Sequence, residues 1–146
     1  MTPFVPPTSE QQLSDEGWRT TASSGFTAEV GALWVRQDGE QVAVAMTTAE
    51  RHCNHLAHTV HGGVLMTFAD NALGFAVVHS LGAPRCVTLS LQTQFISPGK
   101  VGEVLWCRPE IVRKGRRTVF VRGLICAGDR TVASVEGIWS VLESKG

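Results

Sequence analysis

The feature that most constrains the fold is the segment GGVLMTFADNALGFAVVHSLG, which spans residues 62–82. It opens on two glycines and closes on Ser80-Leu81-Gly82 with Pro84 just beyond, which are stop signals for a helix. Apolar side chains lie on nearly every side of this helix, and a helix that is apolar all round is a buried one. In a chain of this length, a curved antiparallel sheet wrapped around the helix is the arrangement that buries it.

One carboxylate interrupts this apolar segment. Asp70 lies in the middle of the predicted helix, with Asn71 beside it. An unpaired carboxylate in a protein core costs several kcal/mol or takes up a proton. Asp70 is therefore either paired, or it reaches a cleft in which its chemistry is used.

The remaining segments predict an α+β fold, with two strands before the helix and four after it. GALWVRQ and EQVAVAMTT flank Asp38-Gly39, which is a strong hairpin signal. The four later segments are CVTLSLQTQFIS, GEVLWCRPEIVR, TVFVRGLICAG and TVASVEGIWSVL, and Pro, Gly and Asp residues separate them. Because no βαβ alternation is present, the sheet is expected to be antiparallel.

The length of 146 residues predicts a single domain with a sizeable core. Residues 1–10 carry three prolines and predict a loose arm, while SEQQLSDEGW predicts a short helix with Ser9 as its N-cap. We therefore expect an N-terminal arm over residues 1–24 and one domain over residues 25–146.

Charge and composition argue against several classes of protein. The 13 basic and 13 acidic residues balance, so no attraction to nucleic acid or to an anionic membrane is expected. The start, MTPFVPPTSEQQ, does not resemble a secretory signal, and no apolar run approaches the roughly 20 residues of a membrane span. The four cysteines are scattered and form no CxxC pair, which predicts reduced thiols in a cytoplasmic protein.

Four of the five histidines lie in ERHCNHLAHTVHGG, at a spacing of three. Such tracts can bind zinc, but paired ligands from separate segments and the HExxH pattern are absent, so no metal site is predicted. We expect the ring of His61 to hydrogen-bond nearby backbone and set the direction in which the chain enters the helix. His52, His55 and His58 are expected to be loop residues, with His55 retained as a substrate-binding candidate.

The sequence HGGVLMTFADNALG, with RHCN upstream and VTLSLQTQFISPGKVGE downstream, resembles the hot-dog-fold thioesterases of the PaaI-like branch. In that branch HGG opens the central helix, an Asp or Glu follows nine residues after the His, and a Ser or Thr lies 18 residues further on. Here these positions hold Asp70 and Thr88. RKGRRTVFVRGLICAGDRTVASVEGIW is similar to the last strands of the family, and the resemblance covers about residues 25–142.

The resemblance implies hydrolysis of acyl-CoA thioesters without a metal or other cofactor. The family's carboxylate acts as general base or nucleophile, and the backbone N–H of the middle residue of HGG polarises the thioester carbonyl. An upstream Asn and the downstream Ser or Thr position water. Carried over by motif, the catalytic residues are Asp70, Gly62, Thr88, Asn54 and His61.

The spacing before HGG departs from the family pattern. Family members usually have six residues from the Asn to the His, with a Gly between them. Here Asn54 to His61 spans seven, and Ala57-His58 stand where the Gly is expected. The role of the family's Asn therefore falls either to Asn54 or to His55.

Elementary physics supports the same assignment. The first N–H groups of a helix lack internal partners and lie at its positive end, and glycines at positions 62 and 63 let a substrate carbonyl approach them closely. Eight residues separate Gly62 from Asp70, roughly 12 Å along a helix, whereas both groups must lie about 3 Å from one reacting centre. We therefore expect a two-fold dimer in which each site takes Gly62 and Gly63 from one protomer and Asp70 from the other.

Basic residues supply candidates for binding the phosphates of CoA. The cluster lies at one predicted turn and consists of Arg113, Lys114, Arg116 and Arg117. A solvated hairpin tip is the alternative explanation for it.

Two other functions are compatible with this pattern. A hot-dog hydratase or dehydratase would act on a C–C double bond with an Asp/His or Glu/His pair, and a non-catalytic acyl-CoA-binding domain would leave Asp70 without a role. The resemblance also implies pairing of sheets into dimers and often a homotetramer. The sequence leaves open an aromatic or an aliphatic acyl group, and a CoA or an acyl-carrier-protein thioester.

Overall fold

A computed structural model describes residues 3–55 and 58–143 of the chain. The helices are α1 (Glu10–Asp15), α2 (Gly25–Val30) and α3 (Gly62–Leu81), and a 3-10 turn occupies Glu50–His52. The strands are β1 (Arg19–Thr20), β2 (Trp34–Asp38), β3 (Gln41–Thr47), β4 (Cys86–Phe95), β5 (Val104–Cys107), β6 (Glu110–Lys114), β7 (Thr118–Ala127) and β8 (Arg130–Val141).

The described strands form one antiparallel sheet in the order β1-β2-β3-β5-β7-β8-β4, and β6 pairs with β7. Helix α3 packs against β3, β4, β7 and β8. The predicted architecture, a curved antiparallel sheet around one long helix, is confirmed. Strands β1 and β4 form the two edges of this sheet.

The strand count differs from the prediction at two places. The segment GEVLWCRPEIVR forms two strands, because Pro109 has no N–H to donate to a ladder and the chain breaks between Cys107 and Glu110. Strand β1 and helix α2 were not predicted at all, since their segments are short and carry no clear periodicity.

The hairpin predicted at Asp38-Gly39 is confirmed. Strands β2 and β3 pair from Trp34 opposite Ala45 to Asp38 opposite Gln41. Gly39 occupies the first loop position with a φ of 66°, a left-handed conformation that residues with a Cβ adopt at a cost.

Helix α3 is a core helix whose ends lie where the sequence predicts them. His61 is its N-cap, and Gly82 closes it in the left-handed conformation with a φ of 72°. Its buried residues are Leu65, Phe68, Ala69, Ala72, Leu73, Ala76 and Val77. Truncating one of the large members to Ala is expected to cost roughly 2–5 kcal/mol.

The length and composition of α3 correct one expectation from the sequence. With 20 residues and a mean hydropathy of 1.4, this helix is long and apolar enough to cross a membrane, contrary to the expectation that no run approaches that limit. In the structure its apolar side chains pack against the sheet. Its composition is therefore explained by burial in the protein core.

The prediction of a loose arm over residues 1–10 is wrong at Phe4 and Pro7, since Phe4 packs against the sheet and Pro7 is buried, whereas Val5 and residues 8–10 are exposed. The ring of Phe4 lies 5.0 Å from that of Trp106. Helix α1 begins at the predicted N-cap, since the Ser9 hydroxyl accepts a hydrogen bond from an N–H of its first turn. Leu13 and Trp18 are buried in a second apolar cluster with residues of β3 and β5.

Candidate active site

The N-terminus of α3 presents an available backbone donor. Within the described residues, the N–H of Gly62 has no hydrogen-bond acceptor, as expected for the first residue of a helix. The next N–H, that of Gly63, donates to Nδ1 of His61 at 2.8 Å. The prediction that the His61 ring hydrogen-bonds the helix entrance is therefore confirmed, and of these two glycines Gly62 carries the available N–H.

A cavity of about 380 Å³ lies beside this donor. Its walls come from the loop before α3, from α3 itself and from the segment that follows β4. They comprise Asn54, Thr59, Val60, Gly62, Leu65, Phe95, Ile96, Ser97, Pro98 and Gly99. A mostly apolar cavity at a free backbone donor is suited to an acyl group whose carbonyl points at the helix terminus.

Phe95 is the side chain that a Cβ at Gly62 would meet. A Cβ at Gly62 would lie 3.3 Å from Cζ of Phe95, so a larger residue at position 62 would press on the ring. Phe95 is nevertheless 56% exposed in the single chain. The ring therefore forms an accessible apolar wall of the cavity, and the glycine leaves room for close approach to the N–H.

Asn54 lies at this cavity, and His55 does not line it. The Asn54 amide donates from Nδ2 to Oγ1 of Thr59 at 2.7 Å, and its backbone N–H donates to the carbonyl of Thr59 at 2.9 Å. His55 is exposed. Of the two candidates for the role of the family's Asn, Asn54 is the one that lines the same cavity as Gly62. Ala57, which stands where the family has a Gly, lies outside the described residues.

Asp70 is paired with Thr88, the second catalytic candidate on this part of the sequence. The Thr88 hydroxyl donates to Oδ1 of Asp70 at 2.7 Å, which joins the middle of α3 to edge strand β4. Asp70 is partly buried and Thr88 is exposed. The hydroxyl thus orients one carboxylate oxygen, and in the described part of the chain no donor is bonded to Oδ2, which leaves this oxygen available to a substrate or a water.

A thiol that the sequence analysis did not select lies near this carboxylate. Burial, and then the negative charge of Asp70, raise the pKa of the Cys86 thiol, so the group stays protonated at neutral pH. The sequence contains one signal that could have identified Cys86. It lies two residues before Thr88, and side chains two residues apart share a face of a strand.

Gly62 and Asp70 do not meet within one chain. They lie eight residues apart on a continuous helix, which separates them by roughly 12 Å. Neither Asp70 nor Thr88 belongs to the walls of the cavity at Gly62. One chain therefore carries the two halves of the predicted site at separate places on α3.

The histidines of the tract occupy different environments. His52 is buried, whereas the exposed His58 lies 3.8 Å from a carboxylate oxygen of Glu50. Among residues 3–55 and 58–143, no three side chains of the metal-binding types converge. The buried environment of His52 was missed by the sequence analysis, because spacing in a loop does not reveal which ring the fold encloses.

The predicted phosphate-binding cluster lies at the other end of α3. Lys114 donates to the carbonyl of Ser80 at 2.5 Å, near the C-terminus of the helix and roughly 27 Å along its axis from Gly62. Arg113, Arg116 and Arg117 are exposed around the same β6–β7 turn. The structure therefore does not bring these side chains to the Gly62 cavity of their own chain.

Comparisons with known proteins agree with this arrangement. Residues 57–134 match the model of the thioesterase superfamily. A Pseudomonas aeruginosa protein named as a candidate esterase is 37% identical over 119 residues, which cover 80% of this chain and 88% of that protein. Acyl-coenzyme A thioesterase 13 of Mus musculus is 30% identical over 82 residues, which cover 56% of this chain and only 57% of the mouse protein.

A solved structure shares the fold. A variant of the phenylacetic acid degradation protein PaaI of Thermus thermophilus superposes with a TM-score of 0.70 at 27% identity. The match covers 80% of this chain and 98% of the Thermus chain. The similarity thus includes α3 together with the sheet around it.

Proposed function

Because the chain belongs to the thioesterase superfamily and is a thioester hydrolase, we propose that its substrates are acyl-CoA thioesters, which it cleaves to a free acid and CoA without a metal ion. The observation that supports this proposal is the presence of two suitable functional groups on α3. An N–H without a described acceptor lies beside an apolar cavity, and the carboxylate of Asp70 is oriented by Thr88.

The reaction begins with the thioester carbonyl directed at the N–H of Gly62. Asp70 removes a proton from a water as the water oxygen attacks the carbonyl carbon, or attacks that carbon itself to form an anhydride that water then hydrolyses. The oxyanion is stabilised by the Gly62 N–H, a type of contact that contributes about 3–4 kcal/mol to the transition state. Collapse of the intermediate breaks the C–S bond. In the general-base route Asp70 returns its proton to the leaving sulfur, and in the anhydride route CoA leaves as a thiolate, which is protonated by the water that hydrolyses the anhydride.

Each complete site then requires two chains. Gly62, Asn54 and His61 come from one protomer, and Asp70 with Thr88 from the other, because roughly 12 Å of helix separates the two groups in one chain. Hot-dog thioesterases are generally oligomeric. Strand β4 supports pairing of this kind, since it is an edge strand with exposed apolar side chains at Val87 and Leu89.

The cavity at Gly62 gives the proposed acyl site its apolar character. Leu65 and Phe95 line it, whereas Phe68 is buried in the core and is not available to a substrate. Both an aromatic and an aliphatic acyl group are compatible with these walls.

We further propose that the enzyme is cytoplasmic and assembles as a dimer of dimers. The proposed contacts for the CoA phosphates are Arg113, Lys114, Arg116 and Arg117.

The experiment that tests this function follows release of the free thiol over a panel of aryl- and fatty-acyl-CoAs. Wild-type protein and Asp70→Asn are compared with and without a chelator, and Asp129→Asn, on a surface turn, is the matched control. We expect turnover that falls about 10³-fold in Asp70→Asn, because a general base contributes 10²–10⁴-fold. Turnover is expected to be unchanged by the chelator and in the control.

Three results would contradict the proposal in different ways. Binding of CoA esters without turnover in wild type would favour a non-catalytic binding domain. Hydration of an enoyl-CoA without thiol release would favour a hydratase. Loss of activity on addition of the chelator would indicate that the histidine tract binds a metal ion that the reaction needs.

A further inference from the structure

His52 is one of two buried polar residues in the described part of the chain, with 3% of its surface exposed. The proposed reaction does not use it. Its ring nitrogens are both engaged: Nδ1 accepts the backbone N–H of Ala49 at 2.9 Å, and Nε2 is bonded to the carbonyl of Val30. These partners assign Nδ1 as an acceptor and Nε2 as a donor, and neither nitrogen is available to a substrate.

The ring of His52 joins two parts of the chain that are distant in sequence. Val30 is the last residue of α2, and its carbonyl also accepts a hydrogen bond from Arg51 at 3.2 Å. Ala49 precedes the 3-10 turn that contains His52 itself. The imidazole therefore fixes the loop before α3 onto the C-terminus of α2.

The backbone of His52 extends this link to the candidate site. Its carbonyl accepts the N–H of His61 at 2.8 Å, and His61 is the residue immediately before Gly62. On the other side of the same loop, the N–H of Val60 donates to the carbonyl of Gly99 at 2.7 Å. Residues 60 and 61 are thus held from both sides, and these bonds set the orientation of the peptide that carries the Gly62 N–H.

We propose that His52 is a positioning residue, whose buried imidazole holds the loop that aims the Gly62 N–H at the substrate carbonyl. The inference rests on the proposed function, since it assigns the Gly62 N–H as the oxyanion donor. His52 touches neither substrate nor the reacting atoms. It acts through the backbone bond to His61, so its loss changes the direction of the donor while the acyl cavity remains.

The test compares three substitutions at this position. His52→Asn keeps an oxygen near the place of Nδ1, His52→Gln keeps an N–H near the place of Nε2, and His52→Ala removes both contacts. His58→Asn is the matched control, because His58 is exposed in the same loop and has a φ of 54°, which Asn tolerates. Turnover is normalised to the folded fraction, which thermal unfolding measures for each variant.

We expect kcat per folded protein to fall about 10- to 100-fold in His52→Ala with KM within about twofold of wild type, since a misplacement near 1 Å can cost about 10²-fold. His52→Asn and His52→Gln are expected to lie between wild type and Ala, and His58→Asn to match wild type. An unchanged kcat per folded protein in the Ala, Asn and Gln variants would overturn the proposal and leave His52 a purely structural residue. If His52→Ala does not fold, the Asn and Gln variants decide the question.

A second readout separates this proposal from the proposed function. Hydrogen exchange of the His61 amide reports the bond to the His52 carbonyl directly, whether or not the protein turns over a thioester. We expect at least about tenfold faster exchange of this amide in the His52 variants, with protection in the middle of α3 unchanged. Unchanged protection of His61 would overturn the positioning role, even if the enzyme hydrolyses acyl-CoA. Absence of turnover in wild type, together with faster exchange, would refute the function and retain the link between His52 and the helix terminus.

Discussion

The N-terminal end of α3 and its middle present the two halves of the proposed chemistry, and the chain holds them in different ways. At the end, the Gly62 N–H depends on loops that are fixed by hydrogen bonds to His52 and Gly99. In the middle, Asp70 is held by a strand through the hydroxyl of Thr88. The donor is therefore positioned by hydrogen bonds between loops, and the carboxylate by a regular element of the sheet.

This difference shows what each half can tolerate. The loop half is sensitive to any change that turns one peptide group, because its chemistry resides in a backbone N–H. The strand half is sensitive mainly to the two side chains that form the pair. Substitutions in each half separate these two kinds of dependence, and mixing of variant chains tests whether both halves serve one reaction.

Within the loop half, the largest effect is expected from removing the donor without disturbing the helix. Gly62 is the first residue of α3, a position at which proline is well tolerated, and the ψ of 136° at His61 suits a residue before proline. Gly62→Pro therefore deletes the N–H while the helix can still begin. We expect kcat for thiol release to fall about 10²- to 10³-fold, the usual cost of losing an oxyanion donor.

Gly62→Ala is the matched control for this substitution. It keeps the N–H but places a Cβ 3.3 Å from the ring of Phe95, so its effect reports crowding alone. We expect a much smaller loss of kcat than in Gly62→Pro. Equal losses in both variants would show that the added bulk, and not the N–H, is responsible.

Complementation between inactive chains is the next largest effect. If each site combines Gly62 of one protomer with Asp70 of the other, mixed dimers of Gly62→Pro and Asp70→Asn chains contain one intact site and one doubly altered site. Random pairing of equal amounts gives about half mixed dimers, so activity should recover to about a quarter of wild type. The measurement is thiol release after co-refolding the two variants. Activity no higher than that of the separate variants would exclude shared sites.

The fold could be predicted from the sequence wherever local signals agreed with the tertiary structure. The ends of α3 follow from glycines and from Pro84, and the β2–β3 hairpin follows from Asp38-Gly39. The break at Pro109 and the short helix α2 were missed, because their local signals are weak or interrupt a longer apolar run. The N-terminal residues pack on apolar side chains of β3 and β5. The sequence of the N-terminal segment alone does not show that it contacts these distant strands.

The candidate site was predictable to a similar extent. The motif spacing selected both Asp70 and Thr88, although it did not predict the hydrogen bond between them, and His61 hydrogen-bonds the helix entrance as expected. His52 was grouped with His55 and His58 as a loop residue, and its burial by the fold was not predicted. Burial of one ring among several in a loop is decided by distant partners such as Val30, and these partners are not visible in the sequence of the tract.

A smaller effect is expected at the strand half. Thr88→Val preserves the shape of the side chain and removes the hydroxyl that donates to Asp70, whereas Thr88→Ser retains the donor. We expect kcat to fall about tenfold in the Val variant, since a hydrogen bond to a charged group contributes about 1.5–3 kcal/mol and part of this is recovered through water. Thr88→Ser should stay close to wild type. A similar loss in both variants would indicate that the methyl group, not the hydroxyl, matters here.

The smallest effect concerns the loop that forms the far wall of the Gly62 cavity. Arg130 forms two hydrogen bonds to the carboxylate of Glu103, at 2.9 and 2.7 Å, and a third to the carbonyl of Pro98 at 3.0 Å. The hydrogen bond from Arg130 is the largest cause that lowers the pKa of Glu103. A lowered folded-state pKa stabilises the protein above the unfolded value of about 4.3, and this contribution is lost as pH falls through the folded pKa.

Glu103→Gln is therefore expected to lower the free energy of unfolding at pH 7 by less than about 1 kcal/mol, because the ion pair is partly exposed and screened by solvent. The difference from wild type should shrink as the pH is lowered below about 4, where the carboxylate takes up a proton. Urea unfolding at several pH values measures it, with the exposed Glu29→Gln as the matched control. A difference that persists unchanged into acid would show that Glu103 stabilises the loop through packing instead of charge.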